Sequence, residues 1–222
     1  MKIGIIGAGF VGKAIAELLI SHGHEVLIAN SREPKTLFSL MGSLPQAQLG
    51  TVQDACHFAE TIVVAIPFSN IGQLPVEALA GKVVLDVNNY YPERDGAIAA
   101  LDNFEATTSE LLARHLSQST VVKVFSNIIA AHINRDALPK GNPSRRALPV
   151  ASDDQQAKQQ VMALVDELGY DPIDGGNLTE SWRYERSKPA YCFPLNVAEM
   201  QQALSKAKRD EELPLSAWAG VV

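Results

Sequence analysis

Cysteine is scarce: the 222 residues hold only Cys56 and Cys192, too few for a metal cage and no basis for a disulfide framework. Both read as small buried hydrophobes. Long apolar runs are missing too. Ile62 to Phe68, the longest beyond the N-terminal stretch, is far below the ~20 residues that a membrane-spanning helix needs. Basic residues do not dominate: 19 stand against 25 acidic ones, a net charge of −6 with no basic stripe. That balance argues against a nucleic-acid or anionic-membrane partner. A secretory leader is not expected either. Gly4, Gly7, Gly9 and Gly12 interrupt the first apolar stretch, and Lys13 and Glu17 follow where it should continue. The expected location is cytoplasmic. Hydrophobic residues at 46% and charged residues at 20% exclude collagen-like, coiled-coil and disordered chains.

What the sequence does have is alternation. Short β-branched runs at Ile3–Ile6, Val26–Ala29, Thr61–Ile66, Val83–Val87 and Val121–Phe125 read as strands, with Gln46–Leu49 as a weaker edge strand. Ala147–Ala151 and Tyr170–Ile173 add two more. Between them lie helical segments. One carries Val11, Ala14, Ile15, Leu18 and Leu19 on a stripe and ends near Gly23. A short one spans Asp54–Glu60. Another begins at the capping box Thr107-Thr108-Ser109-Glu110 and runs through Leu116. A fourth is capped by Ser152-Asp153-Asp154-Gln155 and buries Ala157, Val161, Leu164, Val165 and Leu168. Residues 188–207 are expected to be mostly helical after their proline-rich start, and the tail from Asp210 to be loose. Strands alternating with helices imply an α/β fold with a doubly wound, mostly parallel sheet. No repeat, linker or composition break divides the chain. It reads as one domain over residues 1–222, with 175–222 as a short helical C-terminal extension lying over the site or forming a dimer contact.

Gly7-Ala8-Gly9-Phe10-Val11-Gly12 fits G-x-G-x-x-G between a strand and a helix, the dinucleotide-binding (Rossmann) context. In that reading Gly7 permits the turn, Gly9 brings backbone up to a pyrophosphate, and Gly12 lets helix pack on strand. The same residues nearly spell a P-loop, but Ala14 stands where Ser or Thr must hold magnesium. The second strand ends in Asn30-Ser31-Arg32 rather than in the carboxylate that a NAD ribose needs. Ser31 and Arg32 suit a 2′-phosphate, and Lys35 adds charge, so NADP is favoured over NAD. Glu33, past the tip, competes but also suits a helix start with Pro34. Ile66, Pro67 and Phe68 end one central strand, Asn88 begins the segment after the next, and Ser126, Asn127 and Ile128 follow a third. All should flank the pyrophosphate and nicotinamide. Phe68 suits core packing equally well.

Together the glycine loop, Asn30-Ser31-Arg32, Ala65-Ile66-Pro67-Phe68, Val121 to Ile128, Leu148-Pro149-Val150-Ala151 and Asp174-Gly175-Gly176-Asn177-Leu178 resemble the NADP oxidoreductases that use coenzyme F420, a deazaflavin. The resemblance covers nearly the whole chain. The cytosolic reductase domain of the six-transmembrane ferric reductases is similar but shares less. The resemblance implies that Ser31 and Arg32 hold the 2′-phosphate, and that Ile66 and Pro67 lie by the pyrophosphate and nicotinamide. It also implies Ser126, Asn127 and Ile128 near the nicotinamide face, with a deazaflavin, a flavin or a similar small electron acceptor stacked over it. Cofactor-to-cofactor hydride transfer needs alignment and little proton chemistry, so no catalytic side chain and no metal ligand are expected. Lys123, inside a strand, reads as structural. His132 is the one histidine near the expected site; His22, His24, His57 and His115 read as surface residues. Trp182, Tyr184, Tyr191 and Phe193 suit either a roof over a flat ring system or a homodimer contact. Two other functions compete: a reductase of a small carbonyl or imine substrate, which needs a general acid, and a non-catalytic NADP(H) sensor.

Overall fold

Residues 1–30 and 42–218 are described in the computed structural model. Six runs of mostly β-branched and apolar residues pair in parallel, because both faces of each are covered and only crossover connections link them. They are β1 (Lys2–Ile6), β2 (Glu25–Ala29), β3 (Gln48–Gly50), β4 (Thr61–Val64), β5 (Val83–Asp86) and β6 (Thr120–Lys123). The order β3-β2-β1-β4-β5-β6 reverses between β1 and β4, and there the crevice for a ligand opens at the carboxyl ends. The fold class expected from the alternation is borne out.

Period-two burial divides the core. Ile3, Ile5, Val26, Ile28, Val63 and Leu85 face one layer. Leu27, Ile62, Val64, Val84 and Val121 face the other. Helices α1 (Phe10–Ser21) and α4 (Gln155–Glu167) cover the first; α2 (Val52–Phe58) and α3 (Thr108–His115) cover the second. Gly4 lets α2 sit down on β1, since a Cβ there would lie 2.6 Å from the Ala55 carbonyl oxygen. The capping box of α3 forms as read: Glu110 N donates to Thr107 Oγ1 at 3.1 Å and Thr107 N to Glu110 Oε2 at 2.8 Å. Asp154 likewise caps α4 by accepting from Ala157 N at 2.8 Å. Helix α2 starts earlier than expected because Thr51 and Asp54 make a capping box of their own.

Three expectations are corrected. The strands β7 (Ala147–Val150) and β8 (Asp171–Asp174) stay outside the main sheet as a separate parallel pair. The chain after β7 meets the main sheet where Lys123 and Ala151 exchange backbone hydrogen bonds of 2.8 and 3.1 Å. As expected, the helix of residues 188–207, α5 (Val197–Lys206), comes only after the proline-rich start, where Pro189 and Pro194 remove donors. The tail is not loose throughout. Leu215–Trp218 forms a 3₁₀ turn, and the buried Trp218 packs on Tyr191 and Phe193. His24 is not a surface residue: it is 9% exposed, 3.2 Å from the Met1 amine and 3.4 Å from Glu167, and burial holds its pKa below the ordinary value. Among the described residues no helix is long and apolar enough to cross a membrane.

Candidate active site

The glycine loop follows β1 because two of its three glycines solve close approaches of backbone to backbone. Gly7 has φ of +118°, and a Cβ there would fall 2.1 Å from the Ala65 carbonyl oxygen. A Cβ on Gly12 would lie 1.9 Å from the Gly7 carbonyl oxygen. Gly9 differs: it caps α1 with no side-chain hydrogen bond, and a Cβ there would meet nothing within 4 Å. Its backbone is therefore bare, at the positive end of a twelve-residue helix. Backbone bonds from Gly7 N to Ala29 O and from Ala65 N to Ile6 O, each 2.8 Å, fix the loop between β2 and β4.

A first cavity of about 700 Å³ opens over this loop. Gly7, Ala8, Gly9, Asn30, Ile66 and Pro67 line it, joined by Thr51, Val52, Gln53, Asn70 and Gln73. A second cavity, of about 520 Å³, lies over the ends of β5 and β6. Val11, Ser126 and Ile128 line it with Asn89, Tyr91, Phe125, Arg186, Tyr191, Cys192 and Trp218. The loop thus forms the divide, with Gly9 facing one cavity and Val11 the other.

Asn88 ties the two together. Its Oδ1 accepts from Ile66 N at 2.9 Å, while its buried Nδ2 has no partner. Beneath it, Asp86 accepts from Asn88 N at 3.0 Å and from Ser109 Oγ at 2.6 Å. The fully buried Lys123 donates to Asp86, to the Asn88 carbonyl and to Thr108 Oγ1 at 3.3, 2.5 and 2.9 Å. A buried charge with three acceptors is a fixed support. In the second cavity Asn89 Nδ2 donates to the Ser126 carbonyl at 2.6 Å, leaving Asn89 Oδ1 and Ser126 Oγ buried without partners. Buried polar atoms of this kind fit a ligand that carries both donors and acceptors. Tyr91 and Tyr191 meet there, hydroxyl to hydroxyl, at 2.5 Å.

Not every residue singled out in the sequence reaches a cavity. Phe68 is 1% exposed and packs edge-on against Tyr90 at 6.4 Å. Asn127 is fully buried, its amide donating to the Ala190 carbonyl at 3.3 Å and its own carbonyl accepting from Arg146 at 2.8 Å. Phe10 points outward, 90% exposed, and Gly12 serves helix packing. Ser31, Arg32 and Lys35 lie outside the described residues. His132 lines neither cavity; burial and then Arg135 lower its pKa. Asn89 and Tyr91 stand in a strand-end segment that the topology marks, so they had a sequence signal. Arg186 and Trp218 had none, because they arrive from a segment about a hundred residues further on.

Residues 2–90 match the family model described as NADP oxidoreductase coenzyme F420-dependent. The Escherichia coli (strain K12) protein YjhV is 38% identical over 79 residues, covering 36% of this chain and 58% of that protein. Human metalloreductase STEAP2 is 29% identical over 211 residues, 93% of this chain but 39% of that protein. The chain therefore spans well under two thirds of these relatives. Among solved structures, an Arthrobacter sp. FB24 protein assigned as an F420-dependent NADP reductase superposes with a TM-score of 0.71 at 27% identity, covering 82% of this chain and 87% of that one. An imine reductase from Aspergillus terreus shares the fold, with a TM-score of 0.59 at 17% identity over 81% of this chain and 56% of that one. In its fold, its glycine loop and its first ninety residues, the chain resembles the NADP oxidoreductases dependent on coenzyme F420, as its strand-end motifs lead one to expect.

Proposed function

We propose that this protein is an NADP(H)-dependent oxidoreductase that passes hydride between NADP(H) and a flat acceptor, a deazaflavin, a flavin or a similar small molecule. One observation carries the reading: the two cavities lie on either side of the glycine loop, at the carboxyl ends of the strands where the winding reverses. The nucleotide, when bound, supplies the hydride. The chain's part is placement. The bare amides at Gly9 hold the pyrophosphate, and Asn30, Ser31, Arg32 and Lys35 take the adenosine end and its 2′-phosphate. Asn89 and Ser126, which line the second cavity, offer their unpartnered polar atoms to the nicotinamide end, and Asn88, which lines neither cavity, holds Ile66 N in place. Tyr91, Tyr191 and Trp218 form an aromatic wall for the acceptor and keep water from it.

The deciding experiment is stopped-flow oxidation of NADPH against flavins, deazaflavins and aromatic carbonyls. Rapid oxidation by a ring acceptor is the expected result. Tight binding of NADPH with no oxidation by any acceptor would instead make the protein a nucleotide sensor.

A further inference from the structure

Resting on that reading, we propose that the Tyr91–Tyr191 pair supplies the proton that accompanies the hydride, with Tyr91 donating to the acceptor and Tyr191 holding Tyr91 in place. The two hydroxyls come from opposite halves of the chain and meet at 2.5 Å on the wall of the second cavity, beside Ser126 and Ile128. Each ring is fixed from its own side. The guanidiniums of Arg94 and Arg186 lie 4.7 and 4.8 Å from the centroid of Tyr91. Arg94 pairs with Asp95 at 2.7 Å, and Arg186 pairs with Glu93 through bonds of 2.7 and 3.0 Å. Asp95 also accepts from Tyr91 N at 3.0 Å. Tyr191 is held edge-on by Trp218 at 5.9 Å, whose Nε1 donates to the Tyr191 carbonyl at 2.8 Å.

In the proposed arrangement Tyr191 donates to Tyr91 Oη. Burial pushes the Tyr191 phenol far above its ordinary pKa, so it keeps its own proton when Tyr91 gives one up. The neighbouring Cys192 thiol, pushed up to about 11 by burial, also stays neutral. The hydrogen of Tyr91 is then left for a bound acceptor. After it has gone, the negative charge on Oη lies in a hydrogen bond from Tyr191 with two guanidiniums over the ring. In the balanced step a dihydronicotinamide loses hydride, and that electron pair forms a new C–H or N–H bond at one end of the acceptor's double bond. The Tyr91 O–H bond breaks and its proton joins the other end. The acceptor is reduced by two electrons, the nicotinamide is oxidised, and Tyr91 recovers a proton from water. Ketones and imines need this second atom protonated, whereas a reduced flavin or deazaflavin ring can carry the charge itself.

Two conservative variants and one spectrum test the pair against the alternative that it only staples the C-terminal segment to β5. With an aromatic α-diketone as acceptor, Tyr91→Phe should slow NADPH oxidation by roughly a hundredfold or more while leaving NADPH affinity unchanged. Its rate should climb as pH falls, because the proton must now come from solution. Tyr191→Phe should lose less and keep the native pH profile. In nucleotide-free protein, the carbonyl stretch of a ¹³C-labelled aromatic ketone should shift to lower frequency, and Tyr91→Phe should abolish the shift. An unshifted or unbound ketone in the native protein overturns the proposal, whatever the variants do. So does a Tyr91→Phe enzyme that keeps its rate, or one whose loss is the same at every pH. If native protein oxidises NADPH with no acceptor, the hydride reading falls and the pair falls with it. If it does oxidise NADPH and both variants match it, only the pair falls.

Discussion

At the scale of single residues, the three loop glycines are not equivalent, and their variants separate binding from folding. Gly9→Ala places a methyl in open space at a backbone angle that alanine adopts, so the melting temperature should stay near native while NADPH binding collapses. Gly7→Ala and Gly12→Ala drive a methyl onto carbonyl oxygens and should instead lower the melting temperature or prevent folding. Retained NADPH affinity in a folded Gly9→Ala variant, measured by calorimetry, would remove the phosphate cradle. Arg32→Ala should weaken NADPH roughly tenfold to a hundredfold, the value of a bidentate phosphate pair, and leave NADH unchanged. Equal native affinities for the two nucleotides would defeat the NADP assignment. Gly7, Gly9 and Gly12 are legible in sequence because each obeys a local geometric rule. Asn127 illustrates the opposite: it follows the right strand but turns its amide to the Ala190 carbonyl, which only the folded C-terminal segment supplies.

At the scale of elements, the ends of β5 and β6 are held in register by one buried ion pair. Lys123→Met strands Asp86 in the interior and should cost about 3–5 kcal/mol, lowering the melting temperature by roughly 6–20 °C. Adding Asp86→Asn removes the stranded charge and should recover part of that loss, as a double-mutant cycle would show. A second tie joins Arg146, just before β7, to the segment after β6 through Asp136. Burial alone would raise this carboxylate, but hydrogen bonds from Arg135 at 2.7 Å and Arg146 at 3.0 Å hold it below its ordinary pKa. A carboxylate with a depressed folded pKa stabilises above its unfolded value and loses that contribution as pH falls through the folded one. The stability gap between native protein and Asp136→Asn should therefore be full at neutral pH and close below about pH 4. Thermal melts across that range decide it. The main strands and capped helices were readable because their periods and caps are local. The separate β7–β8 pair was not. Its strands carry the same apolar pattern as the others, and the one antiparallel bridge from that segment to β6, Lys123–Ala151, has no local signal to mark it.

At the scale of the whole molecule, the C-terminal segment links distant parts. Lys188, nearly fully buried, donates to the carbonyls of Lys208, Arg209 and Glu211 at 2.9, 2.8 and 2.7 Å, and so leads the chain towards Trp218. Lys188→Met leaves those carbonyls without their donor, and hydrogen exchange should quicken over residues 208–218 while the β1–β6 core is unchanged. Equal exchange in native and variant protein would show that the ammonium does not hold the segment. The two tryptophans also fall on different cavities: Trp218 on the second, and Trp182 on a third of about 650 Å³ together with Phe104 and Lys188. The second and third cavities therefore each contain their own tryptophan. A Trp182→Phe protein becomes a single-emitter reporter in which any ring entering the second cavity dims or shifts the signal, and titrations need no turnover to follow occupancy. Native protein carrying both emitters would register filling of the third cavity as a separate component.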